Sequence, residues 1–264
     1  LIAGDVYDKS VPSEAATKLL DYFLIALAAK RIKVFMVSGN HDSDERLNFG
    51  STLFASNQIF ISAVFDGTLH RQSFVDGDTE VAVYMLPFVK ASQVRHYFPD
   101  EDINSYDDAV RTIIRNTLID KRNKNILVAH QFVAGKGEDP ALAGSESVGT
   151  QNVGMVEKIG YDCFDDFSYV ALGHIVSPQK VRREESRYAG SPLKYSLSEA
   201  NNEKSVCLIT VSAEEGVKIE PVHLKPMRNL RHIKGKLKEL LDKENVKAPD
   251  DFIYATLTDE EIIN

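Results

Sequence analysis

The sequence predicts an α/β fold in which two packed mixed β-sheets are flanked by helices, followed by an incomplete small α/β unit. Three observations predict it. Short β-branched and aromatic runs at 1–3, 33–37, 125–129 and 169–172 read as buried strands. The first is joined to the second through a helical pattern, the strand–helix–strand order of parallel neighbours. Each run stops at or just before a polar residue, Asp5, Asn40, His130 or His174, and ligands in open α/β sheets sit beyond the carboxyl ends of the strands.

Leu1-Ile2-Ala3 reads as the end of a strand, which Gly4-Asp5 turns so that Asp5 lies at its carboxyl edge. Pro12-Ser13-Glu14 then starts a helix: Ser13 caps it, Glu14 suits the positive helix end, and apolar residues at 16, 19, 20, 23, 24 and 27 make one face. Lys33 to Val37 follows as a strand that stops at Ser38-Gly39, and right-handed topology brings Asp5 and Asn40 to one edge of the sheet. A short amphipathic segment covers Glu45 to Ala55. Alternating residues at 67–75 and 80–86 around Asp76-Gly77-Asp78 predict a hairpin, ended by Pro87.

Helices are expected at Ala91 to Phe98 and Tyr106 to Lys121, the second with apolar residues at 109, 110, 113, 114 and 118. Asn125 to Ala129 is the strand that delivers His130, and Tyr169 to Leu172 the one that ends in Gly173-His174. Between them, Gly135 to Gly154 reads as a long glycine-rich loop without a nucleotide P-loop or a nucleophile elbow. Strands around Arg187 to Gly190, Ser205 to Val211 and Val217 to His223 suggest a second sheet packed on the first. After Pro226 come a helix at about Lys234 to Lys243 and a strand at about Phe252 to Leu257, so that 1–223 and 224–264 read as two units.

Composition narrows the function classes. The 264 residues are 43% hydrophobic and 27% charged, which indicates neither disorder nor a membrane protein, and no apolar run approaches the ~18 residues of a spanning helix. The opening Leu1-Ile2-Ala3-Gly4 has no leader pattern and reads as a start in mid-strand. Cys163 and Cys207 are far apart in apolar or strand-like surroundings, which favours reduced thiols in a cytoplasmic protein. A net charge of −8 argues against global attraction to polyanions. Seven Lys or Arg against two acids between Lys225 and Lys243 nevertheless form a local strip that reads either as a solvated face or as a phosphate-backbone contact.

The chemistry lies in the four strand ends. One carboxylate, one amide oxygen and two imidazoles suit manganese or a similar divalent ion, and the absence of cysteine ligands disfavours structural zinc. A dinuclear centre would clamp a phosphodiester, activate water and neutralise the leaving oxygen. His41, next to Asn40, is placed to donate a proton or hydrogen bond to the phosphate, with Asp42 either orienting it or capping a helix.

Gly4-Asp5-Val6-Tyr7-Asp8, Gly39-Asn40-His41-Asp42-Ser43, Ala129-His130 and Gly173-His174 resemble the successive motifs of calcineurin-like metallophosphoesterases. Asp8-Lys9-Ser10-Val11-Pro12 and the stretch Arg187-Tyr188-Ala189-Gly190-Ser191-Pro192-Leu193-Lys194-Tyr195-Ser196, with Ser198-Glu199-Ala200, resemble the bacterial SbcD nuclease subunits within that superfamily. The resemblance implies a DNA exonuclease and endonuclease acting on double-stranded ends and hairpins in repair and recombination. It implies manganese as cofactor, two ions in the intact site, and a homodimer bound to an SbcC-type ATPase subunit. Asp5 would bridge the two ions, Asn40, His130 and His174 would complete the second ion's ligands, and His41 would be catalytic.

The first ion departs from the pattern. The family holds it by an Asp-x-His pair in a preceding strand and by a histidine two residues beyond the one matching His174, where this chain has Val176. One ion, or weak binding, and impaired turnover are therefore expected here. Two readings compete with the nuclease: a phosphoesterase for another substrate, and a degenerate scaffold that binds DNA or a partner without cleavage, which Val176 supports.

Overall fold

The computed structural model describes residues 1–77, 79–135, 139–142, 158–212, 214–242 and 247–260. Most of the expected loop from Gly135 to Gly154 lies outside these residues, as does Asp78 of the hairpin turn. Among the described residues no helix is long and apolar enough to cross a membrane.

Strands β1 (Ile2–Ala3), β2 (Val34–Val37) and β3 (Ile59–Ser62) form a three-stranded sheet in that order, parallel throughout. Helix α1 (Glu14–Ala29) makes the crossover from β1 to β2, and Ser13 caps it by accepting from the Ala16 amide at 3.2 Å. Only part of its expected apolar face is covered. Leu24 is buried and Leu20 and Leu27 pack against the cluster of Val34, Met36 and Ile59, whereas Leu19 and Phe23 are exposed. The segment at 45–55 divides into α2 (Asp44–Asn48) and α3 (Ser51–Ala55), because Gly50 turns the chain with a φ of 74°.

The larger sheet is mixed and has six strands. The hairpin β4 (His70–Asp76) and β5 (Thr79–Leu86) pairs Asp76 with Thr79, and β5 runs parallel to β6 (Lys124–Ala129). Two short strands, β7 (Val133–Ala134) and β8 (Ile159–Gly160), pair with each other outside it. The sheet continues with β9 (Tyr169–Leu172), parallel to β6, and then with β11 (Arg183–Tyr188) and β10 (Gln179–Val181). One face packs on α4 (Ala91–Tyr97) and α5 (Tyr106–Arg115) through Tyr84, Leu127, Val94, Val110 and Ile113. The other packs on the small sheet: Phe35 and Val37 meet Val83, Met85 and Val128 in the layer between the two.

Three expectations need correction. Helix α5 stops at Arg115, six residues short of Lys121, because the Asn116 amide and Thr117 hydroxyl bond the carbonyls of Thr112 and Ile113 at 2.9 and 2.7 Å. Leu118, counted on the apolar face, is 91% exposed. The strands at 187–190, 205–211 and 217–223 do not share a sheet. The first belongs to β11, while β12 (Ser205–Ser212) and β13 (Gly216–His223) make a separate antiparallel ribbon that sets Ile209, Val211, Val217 and Ile219 against the intersheet layer.

The expected helix at 234–243 is present but shorter and starts later, and Lys243 lies outside the described residues. Lys234 lies in β14 (Leu230–Gly235), which pairs in parallel with β15 (Phe252–Leu257), and α6 covers only Leu237–Leu240. Leu230 and Ile233 are three apart, a helical and not a period-two spacing, so the strand here rests on its pairing with β15. Arg231 of the basic strip is bound to Asp251 at 2.8 Å and so is not a loose surface cation.

Candidate metal centre

Both sheets point carboxyl ends of parallel strands the same way, and the polar residues beyond those ends meet. Ala3 is paired with Val37 across β1 and β2, and Ala129 with Leu172 across β6 and β9. The Asn40 amide oxygen lies 3.0 Å from His130 Nε2 and 3.0 Å from His174 Nδ1. Asp5 Oδ2 lies 3.2 Å from His130 Nε2. All four residues expected at the site are thus brought together.

The proton positions say what this cluster needs. His130 Nδ1 is 2.7 Å from the Ala3 carbonyl oxygen, which only accepts, so the ring donates there. Its Nε2 then turns a lone pair toward Asn40 Oδ1 and Asp5 Oδ2, two further acceptors. Such facing acceptors are stable only with a cation among them, a proton or a metal ion. His174 is a poor home for that proton: burial, and then the neighbouring His130, lower its pKa to about 4 against the attraction of Asp5. For Asp5, burial favours the neutral acid, but the hydrogen bond and charge of His130 and the His41 amide outweigh it and hold the carboxyl below its usual value. A carboxylate, an amide oxygen and neutral imidazole together fit a hard-to-borderline divalent ion. Among the described residues no three His, Cys, Asp or Glu side chains make an ion-holding group by themselves; Asn40, which touches both imidazoles, is indispensable to this one.

A second ion is not equally served. Val176 stands two residues beyond His174 and its side chain has no donor atom, while its carbonyl oxygen accepts from the Ser191 amide and Lys204 Nζ, both at 3.0 Å. Among the described residues, Asp5, Asn40, His130 and His174 fit one ion, and Val176 offers no side-chain donor to a second.

The backbone is bent to reach this arrangement. Asp5 has a φ of 46° and His174 a φ of 89°, left-handed values that side chains other than glycine seldom adopt. Two neighbouring glycines are required by contact. A Cβ on Gly39 would overlap the Asp5 carboxylate, and one on Gly173 would overlap the same Ala3 carbonyl oxygen that holds His130.

His41 and Asp42 divide differently from the sequence expectation. The His41 amide donates to Asp5 Oδ1 at 2.9 Å, and its exposed ring sets Nδ1 3.2 Å from the Asp8 carbonyl, which leaves Nε2 as the outward nitrogen. Asp42 neither orients this ring nor caps the next helix, for which Ser43 is the N-cap residue. Its carboxylate accepts the amides of Val6, Tyr7 and Gly39 at 3.1, 2.9 and 2.9 Å, so it staples the Asp5 loop to the Asn40 loop. Burial still raises its pKa against these amides, with Asp5 adding repulsion. The Ala3 and Asp8 carbonyls were invisible to sequence reasoning, since the backbone carries no residue-type signal.

A model of one known family matches residues 1–178, a span that contains all of these strand ends. With that match over more than half of its length, the chain belongs to the calcineurin-like phosphoesterases, hydrolases that act on phosphoesters with divalent metals.

Proposed function

We propose that this chain is a DNA nuclease subunit of the SbcD type, a cytoplasmic, manganese-dependent phosphodiesterase acting on double-stranded ends and hairpins in repair and recombination. One observation carries the hydrolytic part: Asn40 Oδ1 sits between two imidazole nitrogens, with Asp5 beside them and His41 next in sequence. The DNA part is supported by the likeness of Arg187 to Ser196 to the SbcD subunits. A homodimer and an SbcC-type ATPase subunit are the partners this reading implies.

Asp5, Asn40, His130 and His174 would hold the ion. When bound, such an ion polarises the phosphoryl group and lowers the pKa of water. The remaining roles belong to the chain. Asp5 fixes the His41 backbone, the Asp8 carbonyl accepts from Nδ1–H and so fixes the ring, and the outward Nε2 would donate a proton toward the phosphate or its leaving oxygen from the doubly protonated imidazolium, which is left as the neutral Nδ1–H ring. Asp42 keeps the two loops that carry these groups in register.

Val176 favours a second reading, a scaffold that binds DNA without cutting it. Manganese-dependent release of nucleotides from a blunt duplex and a hairpin, measured beside hydrolysis of bis(p-nitrophenyl) phosphate, separates the readings. Cleavage of both DNAs, abolished in His41→Ala, is expected. Hydrolysis of the small diester alone would point to another substrate, and DNA binding with neither hydrolysis to the scaffold. Increased turnover in Val176→His would tie any shortfall to the missing donor.

A further inference from the structure

The segment from Ser191 to Lys204 contains a buried ion pair with no part in the chemistry above. Glu199 is 0% and Lys204 5% exposed. Glu199 Oε2 accepts the amides of Tyr195 and Ser196, each at 2.9 Å, and Oε1 pairs with Lys204. Lys204 Nζ uses its three protons on Glu199, on Ser191 Oγ at 2.8 Å and on the Val176 carbonyl at 3.0 Å. The Ser191 amide donates to that same carbonyl at 3.0 Å, so both lone pairs of Val176 are engaged.

Val176 lies two residues beyond His174, whose backbone is held at a φ of 89°. Such a conformation persists only where its surroundings over-determine it. On one side the Gly173 amide is bonded to the Ala129 carbonyl at 3.0 Å, and Ile175 is buried in the core. On the other side the Lys204–Ser191 pair of donors holds the Val176 carbonyl at 3.0 Å each, closer than the 3.4 Å contacts that Asn202 and Gln179 make with Ser177. A buried ion pair is a weak contributor to stability, because desolvation offsets the attraction. Its geometry, all donors and acceptors matched, suits orientation better.

We propose that Lys204, carried by Glu199, is a positioning residue for the metal centre: it fixes the Val176 carbonyl and thereby the angle at which His174 presents Nδ1. This inference rests on His174 being a metal ligand. Removing Lys204 should therefore weaken metal binding more than it weakens the fold.

The test uses Lys204→Met, Lys204→Arg, the double variant Glu199→Gln/Lys204→Met, and Val110→Ala as a core truncation away from the site. Manganese affinity is measured by calorimetry, thermal stability in parallel, and amide hydrogen exchange over 173–177 in metal-free protein. Lys204→Met should lose at least about tenfold in manganese affinity, the range seen for groups that orient a ligand. The double variant, with no unpaired buried charge, should recover stability but not affinity. Lys204→Arg should recover part of the affinity, and Val110→Ala should lose stability with affinity intact. Faster exchange at 173–177 in both methionine variants is expected even without metal. Wild-type affinity in the double variant, or unchanged exchange at 173–177, would overturn the proposal. A wild-type protein that binds no manganese would instead remove the metal reading on which it stands.

Discussion

His130 donates from Nδ1 to the carbonyl oxygen of Ala3 across 2.7 Å, and this one bond joins the carboxyl ends of the two sheets at the place where the donors converge. It also fixes which ring nitrogen faces Asn40 and Asp5. His130→Gln is expected to lower manganese affinity by at least about tenfold, since an amide cannot both donate to Ala3 and offer an imidazole lone pair. Calorimetric titration checks this, and undiminished affinity would count against His130 as a ligand.

Asp42→Asn should destabilise the protein by roughly 1–3 kcal/mol, because at least one of three part-buried amides loses its acceptor and meets an NH₂ group. Urea unfolding gives the value. His41 should remain in place to the extent that the two loops stay in register, so kcat should fall less in Asp42→Asn than in His41→Ala.

A pH dependence follows from His174. Its pKa is lowered from 6.5 to about 4, so between those values the unfolded chain binds more protons than the folded one. Stability of the metal-free protein should be fully present above about pH 6.5 and be lost as pH falls toward 4, by at most about 3 kcal/mol. His174→Gln should flatten this part of the curve in thermal melts across that range. An unchanged slope would show the imidazole to be solvated.

The early end of α5 makes a paired prediction. Ile113→Ala should cost about 2–5 kcal/mol, as a large-to-small change in a closed core, while Leu118→Ser should stay within about 0.5 kcal/mol. Equal losses would mean that the helix continues to Lys121 in solution.

How much was legible follows from how far each signal reaches along the chain. The strands before Asn40, His130 and His174 announced themselves by local β-branched runs, and parallel topology then placed the polar residues at one edge. The role of Asp42 was not legible, because its partners Val6 and Tyr7 lie 36 and 35 residues away and are backbone groups. The tie from Lys204 to the Val176 carbonyl, 28 residues away, was unmarked for the same reason. Lys234 was placed in the helix, where parallel pairing with β15 instead produced a strand, and Lys236 is the N-cap residue of the short helix that follows. Helix α5 ended early through side-chain bonds of Asn116 and Thr117 that propensity alone does not weigh.

The bond from His130 to Ala3 spans 127 positions in sequence, and that from His174 to Asn40 spans 134. Contacts of such separation form late, after the entropy of closing long loops has been overcome. No early intermediate can therefore present the complete set of donors, and metal is expected to meet a chain whose two sheets have already docked. Added manganese should then slow unfolding far more than it speeds refolding, with the centre acting as a lock on the finished sandwich and not as its template.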